Sequence, residues 1–253
     1  MNVVVCVKQV PDPNSAGQLD PATNRLKREG VEVVLDPGDE YGIEAGLQLA
    51  EAGGGQVTVV SMGPEKAMDA IRKALAMGAA KGVLISDDNL AGSDALTTAK
   101  VLAAAIKREQ FDLVIAATES TDGYTGVVPQ MIAELLGIPS VTFAKKVEAN
   151  GSTLTVNRQT EAGYDVIEAE LPALLSVTAG VFEPRYPSLK GIMAAKSKPV
   201  DRLTAADLGV DPKPGEQVVS VQPAEERKAG EIVEDDGTAA QRIVDYLATQ
   251  KVI

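Results

Sequence analysis

Residues 111–137 read FDLVIAATESTDGYTGVVPQMIAELLG, and this stretch decides the fold. Residues 111–117 are a short apolar run, the signature of a buried strand. Residues 118–126 carry no apolar period and are rich in Thr, Ser, Asp and Gly. From Val127 the pattern turns helical: Val127, Met131 and Leu135 recur at i, i+4 and i+8, Val128, Ile132 and Leu136 run beside them, and Gln130 and Glu134 take the other side. Pro129 falls in the first turn, where a missing N–H costs nothing. Gly137 stops the helix and Pro139 confirms the stop. The reading is strand, polar loop, helix. Open backbone N–H groups and the helix dipole meet at such a start and suit a phosphate. A connection that is polar only for solubility is the plainer alternative, and the segment by itself leaves both open.

Upstream, the same alternation repeats. Residues 3–7 (VVVCV) form a continuous apolar run, expected as a central strand buried on both faces. Cys6 within it reads as a small core residue rather than a reactive thiol. Residues 8–13 (KQVPDP) leave the strand through prolines, and residues 14–29 are a polar excursion, a loop or loose hairpin. Residues 31–35 read as the next strand. Asp36 or Asp39 then caps a helix over 41–52, with Ile43, Leu47 and Ala50 facing in. Strands follow over 56–61 and 81–86, with a helix over 64–77 between them that turns in Ala67, Ile71 and Leu75 and closes at Gly78. Ser93 or Asp94 caps a helix through Glu109, with Ala95, Leu96, Val101, Leu102 and Ile106 on its apolar side. Repeated βα units imply a mostly parallel α/β sheet, doubly wound with helices on both faces. Ligands of such sheets bind at the carboxyl ends of strands, so the loops after Val7, Leu35, Ser61 and Ala117 are expected to share one rim.

Downstream the period changes. Residues 146–149, 153–158 and 164–170 read as successive strands with turns at Asn150-Gly151 and Ala162-Gly163, an appended antiparallel hairpin region. Residues 171–177 are a further apolar strand. Residues 182–197 (FEPRYPSLKGIMAAKS) are basic within an acidic chain and carry Leu189, Ile192 and Met193. They read either as a surface loop tacked down by Leu189 and Met193 or as a protein-docking loop with a leucine anchor. Residues 199–234 are long, polar and proline-containing, too long for a loop inside a compact domain. A helix resumes over 238–251 with a stripe of Ile243, Val244, Tyr246 and Leu247. The expected division is therefore an α/β domain over 1–198, which includes the loop at 183–197, and an extended C-terminal arm over 199–253.

Composition narrows the chemistry. The 253 residues carry a net charge of −12 and only 3% aromatic residues with no Trp, which argues against nucleic acid as a partner. No apolar run approaches a membrane span, and no leader pattern opens the chain, so no membrane insertion is expected. One cysteine allows no internal disulfide and fits a reducing compartment. Histidine is absent, which removes Ser-His-Asp and Cys-His catalysis and His-containing zinc sites. Carboxylates, lysines or tyrosines could still act, but with no CxxC, GxSxG or GxxxxGK[ST] pattern either, no catalytic or metal-ligating residue is singled out, and a chain with no active-site chemistry of its own becomes the plainer reading.

Five stretches are similar to the small (beta) subunit of electron-transfer flavoproteins: VCVKQVPD at 5–12, LDPGDEYGIEAGL at 35–47, SMGPEKAMDAIRKALAMGA at 61–79, ESTDGYTGVVPQMIAELLGIP at 119–139 and EPRYPSLKGIMAAK at 183–196. The resemblance covers nearly the whole chain. It implies a Rossmann-like sheet of the adenine-nucleotide-binding type, which makes 1–198 a nucleotide-binding domain and the loop at 183–197 a docking loop, and one half of an αβ heterodimer that is not itself an enzyme. Such a pair carries electrons from flavin dehydrogenases to a membrane or other downstream acceptor, in the cytoplasm. FAD would be held mainly by the large (alpha) subunit and AMP by this one. The AMP contacts carried over are Cys6, Asp36, Pro37, Gly38, Asp39, Met62, Ala117, Thr118, Asp122, Gly123, Tyr124, Thr125 and Gly126. Leu189, with Ile192 and Met193, would dock the dehydrogenases, and the C-terminal arm would embrace the large subunit. Relatives often place aromatics at Pro13 and Gly38, so close flavin contact there is not expected; many carry Glu at Gln159, near the subunit-contact hairpin, so a charge pair steering the flavin domain is expected to be missing or relocated. A bifurcating-type subunit holding a second FAD in place of AMP is one alternative. A stand-alone adenine-nucleotide enzyme is another, although it needs a Gly/Ser-rich loop after the first strand, where Lys8-Gln9-Val10-Pro11 has none.

Overall fold

The structure, a computed structural model, describes residues 1–15, 17–28, 30–222, 230 and 232–253. In chain order the first half runs β1 (Val3–Cys6), β2 (Gln9–Pro11), β3 (Leu19–Asp20), β4 (Arg25–Leu26), β5 (Val33–Leu35), α1 (Pro37–Ala52), β6 (Val57–Met62), α2 (Met68–Met77), β7 (Lys81–Ile85), α3 (Ala95–Ile106) and β8 (Leu113–Ala117). The second half runs α4 (Val128–Leu136), β9 (Ser140–Asn150), β10 (Thr153–Thr160), β11 (Gly163–Glu170), β12 (Ala173–Val177), α5 (Leu189–Ala195), β13 (Val200–Leu203) and α6 (Ala239–Thr249).

Nine strands form one sheet in the order β11-β10-β9-β12-β8-β1-β6-β7-β13. From β12 to β13 every neighbour is parallel. The all-apolar β1 lies in its middle because both its faces are covered. Val3 and Val5 join the core under α1 and α2, whereas Val4 and Cys6 join the core under α3 and α4. The period-2 alternation of strand side chains thus divides one run of valines between two layers. From β1 the chain first builds outward to β6 and β7, then returns to β8 on the other side. The β1/β8 boundary is therefore the point where strand order reverses, and a crevice opens at the carboxyl ends of those two strands.

Several expectations change. Residues 8–13 are not a simple exit: β2 pairs antiparallel with β5 in a separate ribbon, so the run at 31–35 lies outside the main sheet. The excursion at 14–29 is a hairpin, β3 against β4, and its Ala16 and Glu29 lie outside the described residues. Helix 64–77 opens as a 3₁₀ turn over Glu65–Ala67, and the helix expected through Glu109 ends at Ile106. Leu96, placed on the apolar side of α3, is exposed, while Thr97 and Ala99 turn inward. Residues 140–150 form one strand, parallel to β12 at its start and antiparallel to β10 beyond. Phe143 adopts φ 56° at the change of direction and donates its N–H to Ser176 Oγ at 3.1 Å. That kink hides the continuity of β9 from any periodic pattern.

The chain then runs from β12, fourth in the sheet, to β13 at its far edge. On the way it lays Val181 and Ala195 into the core under α1 and α2. Residues 182–197 are not loop throughout, since their second half is α5, capped by Ser188, whose Oγ accepts from Gly191 N at 3.0 Å. Strand β13 falls within the stretch expected as arm. The first compact unit accordingly runs from Met1 to Val219 instead of ending at 198, because residues 200–203 hydrogen-bond to β7. The second unit, Ser220–Ile253, contains α6, with Ile243, Val244 and Tyr246 exposed. Pro223, counted in the proline-containing stretch, lies outside the described residues.

Candidate functional site

A cavity of about 260 Å³ lies at the β1/β8 crevice. Its floor is Cys6, Val7 and Lys8 from the end of β1 and Ala116 and Ala117 from β8. One wall comes from the start of α3, with Asp94, Ala95 and Thr98, and the opposite wall from α4, with Val128, Pro129 and Ile132. Ser120, Gly123, Thr125 and Gly126 of the loop after β8 close one side, and Asp39 of α1 reaches in beneath.

The two neighbouring helices are capped by side chains: Asp36 accepts from Gly38 N at 3.0 Å, and Asp94 from Thr97 N at 2.7 Å. Helix α4 has no such cap. Thr125 and Gly126, both on the cavity wall, spend their backbone N–H on no protein acceptor among the described residues. Unsatisfied donors at a helix start beside a cavity suit an anionic oxygen. The apolar surfaces of Leu102, Val128 and Ile132 suit a flat base. The cavity thus offers donors at one end and an apolar slot at the other.

The rim charges are tightly organised. Asp122, whose side chain is 4% exposed, receives Lys8 Nζ at 2.6 Å and pairs with Arg28. Burial opposes its charge, but Lys8 and then Arg28 outweigh burial and hold the carboxyl below its ordinary range. Asp39 accepts from Lys8 N at 2.7 Å, yet burial, reinforced by Asp36, pushes its carboxyl well above the usual carboxylate range. Burial, then the nearby Asp39, pushes the Cys6 thiol up to about 12, so it stays a neutral thiol.

Of the residues singled out from the sequence, Cys6, Asp39, Ala117, Gly123, Thr125 and Gly126 line the cavity. Asp36 is fully buried and takes Thr121 N at 2.8 Å, tying α1 to the loop. Pro37 opens α1, and Gly38 backs onto Ala117, where an added Cβ would stand 3.3 Å from Ala117 Cβ, a tight contact. Met62 packs into the core under α3 and α4, Thr118 donates its hydroxyl to Val177 O at 3.1 Å, and Tyr124 points outward at φ 50°. Sequence reasoning missed Lys8 and the α3 contribution. The position of Asp94 as a cap was legible, but not that α3 begins beside α4.

A second candidate surface is α5. Leu189 is 83% exposed and Met193 74%, with Ile192 half-exposed and Tyr186 96% exposed just upstream. The helix is seated by Ala195 and by Gly191, whose bare Cα passes so close to Ala76 O that a Cβ would come within 2.4 Å of it. Leu189 and Met193 therefore do not tack the segment down.

Among the described residues, no helix is long and apolar enough to cross a membrane and no cluster of His, Cys, Asp or Glu could hold a metal ion. The family model for the electron transfer flavoprotein domain matches residues 23–208. The electron transfer flavoprotein subunit beta of Mycobacterium tuberculosis is 46% identical, covering 100% of this chain and 99% of the relative. That of Thermoanaerobacterium thermosaccharolyticum is 43% identical, covering 100% of both. The caffeyl-CoA reductase-Etf complex subunit CarD of Acetobacterium woodii is 40% identical over 84% of this chain and 82% of the relative.

Proposed function

Since this chain belongs to the electron transfer flavoprotein family, where its relatives are beta subunits, we propose that it is the small subunit of a heterodimeric electron carrier that holds AMP in the β1/β8 cavity. FAD, bound mainly by the large subunit, supplies the redox chemistry when present. This chain's own residues bind, order and dock, and catalyse nothing by themselves. The observation that carries the reading is the cavity itself. It is about 260 Å³ in volume, with open backbone donors on one side and the apolar side chains of Leu102, Val128 and Ile132 on another, which supports a small ligand with an anionic end and a flat apolar end.

In this reading AMP places its phosphate at the Ser120–Gly126 loop and its base between α3 and α4. It thereby joins β8, α4 and the Asp36-tied start of α1 into one rigid rim. The exposed α5 presents Leu189 to flavin dehydrogenases, an apolar anchor on a seated helix. The unit Ser220–Ile253 embraces the large subunit, its α6 stripe of Ile243, Val244 and Tyr246 supplying the contact. The protein works in the cytoplasm, passing electrons to a downstream acceptor.

Extraction of nucleotides from the purified heterodimer tests the proposal. One FAD and one AMP per pair is expected. Two FAD and no AMP would assign the cavity to a second flavin, and ATP hydrolysis by the lone chain would move it to a different class of protein.

A further inference from the structure

We propose that Lys8 is the counter-charge for the nucleotide phosphate in the β1/β8 cavity, held ready by a carboxylate that a second cation keeps neutralised. The proposal rests on the mononucleotide reading above and adds a residue that reading does not contain.

Lys8 is the single Lys or Arg among the described residues lining the cavity. The other acidic side chains facing it are Asp94, Glu119 and Asp39, the last held towards its neutral form by burial. Asp94 is committed to backbone donors, Thr97 N at 2.7 Å and Gly215 N at 2.7 Å, and Asp39 receives the backbone N–H of Lys8. A phosphomonoester dianion entering this space meets acidic side chains on several sides and a single ammonium.

That ammonium is not consumed where it rests. Lys8 Nζ lies 2.6 Å from Asp122 Oδ1 and 3.2 Å from Ser120 Oγ, at the start of the loop whose Thr125 and Gly126 N–H groups are open. Asp122 pairs at its other oxygen with Arg28. Two cations thus share the one Asp122 carboxylate, so the loss of either still leaves it paired. The two cations differ in mobility. Arg28 is a planar fork with Nη1 buried, whereas Lys8 ends a flexible stem with three rotatable donors. Lys8 can therefore turn from Asp122 to a phosphate oxygen while Arg28 stays and keeps Asp122 compensated. Without Arg28 the same move would strand a buried carboxylate, a cost that would cancel the gain.

The test uses the complete heterodimer, freed of AMP and reloaded with FAD, titrated calorimetrically with AMP and with adenosine. Lys8→Met is expected to weaken AMP roughly 10–100-fold, the effect of one charge-assisted hydrogen bond, while adenosine binds as before. Lys8→Arg is expected to keep AMP within several-fold. Unchanged AMP affinity in Lys8→Met overturns the role of Lys8 and leaves the mononucleotide reading standing. Equal loss of AMP and adenosine shows Lys8 to be structural and overturns it too. Failure of the unsubstituted protein to bind AMP removes the mononucleotide reading itself.

Discussion

Arg185 grips both oxygens of Glu44, Nε to Oε2 at 2.8 Å and Nη2 to Oε1 at 3.0 Å, and reaches on to Glu51 with Nη1 at 2.7 Å. Glu44 is 2% exposed at its side chain and also receives Gln48 Nε2 at 2.7 Å. The segment leading to α5 is thus fastened to α1. Arg185→Ala leaves a buried carboxylate without its partner. Discounted for the part-exposed arginine, the expected loss is about 2 kcal/mol, read from the urea midpoint. A loss under about 0.5 kcal/mol would mean that water replaces the guanidinium freely.

The same pair predicts a pH dependence. Burial raises the Glu44 carboxyl, but the Arg185 hydrogen bonds outweigh it, and the folded-state value lies below the ordinary one. A depressed carboxyl contributes stability above its unfolded pKa and loses that stability as pH falls through the folded value. Stability should therefore decline as pH drops below about 4.3, the unperturbed glutamate value, and Arg185→Ala should flatten that decline. Parallel acid curves for the two proteins would contradict the assignment.

Leu189→Ala removes a side chain that touches little of its own chain, so stability should stay within about 0.5 kcal/mol. On the docking proposal, electron transfer from a flavin dehydrogenase should slow by roughly tenfold or more, with FAD content and reduction by dithionite unchanged. Loss of FAD would show that α5 serves the fold instead.

Gly82, at the start of β7, approaches α2 so closely that a Cβ would fall 2.5 Å from Ile71 Cγ2. Ile71 is fully buried and branched at Cβ, so its Cγ2 methyl cannot turn aside. Alanine gains about 0.5–1 kcal/mol of strand or helix propensity over glycine, but overpacking costs about 1–3 kcal/mol. The net expected loss for Gly82→Ala is about 1–2 kcal/mol in thermal or urea unfolding. A stabilised variant would show that the β7–α2 contact has slack.

The parallel half of the sheet was legible because each element there announces itself locally: VVVCV at β1, Pro129 and Gly137 bounding α4, Asp94 capping α3. What escaped are features fixed by distant partners. The run at 31–35 looks like any apolar strand, and only pairing with β2 takes it out of the sheet. Strand β13 is four residues of mixed polarity, VDRL, and owes its form to the open edge of β7. At the cavity, Cys6 reads as core in sequence and is buried, yet it also forms the floor, since a strand end is core on one side and site on the other. Lys8 carried no local signal: its partners Ser120 and Asp122 stand more than a hundred positions away.

The segment between β12 and β13 spans the positions of β8, β1, β6 and β7, five strand spacings or roughly 24 Å. Both its ends are woven into one sheet, and Tyr186 near its middle is almost wholly open to solvent. It is a splint laid across the molecule rather than a flap hung from it. A single nick beside Tyr186 would leave two fragments still interlocked, migrating together on a native gel and parting only in denaturant.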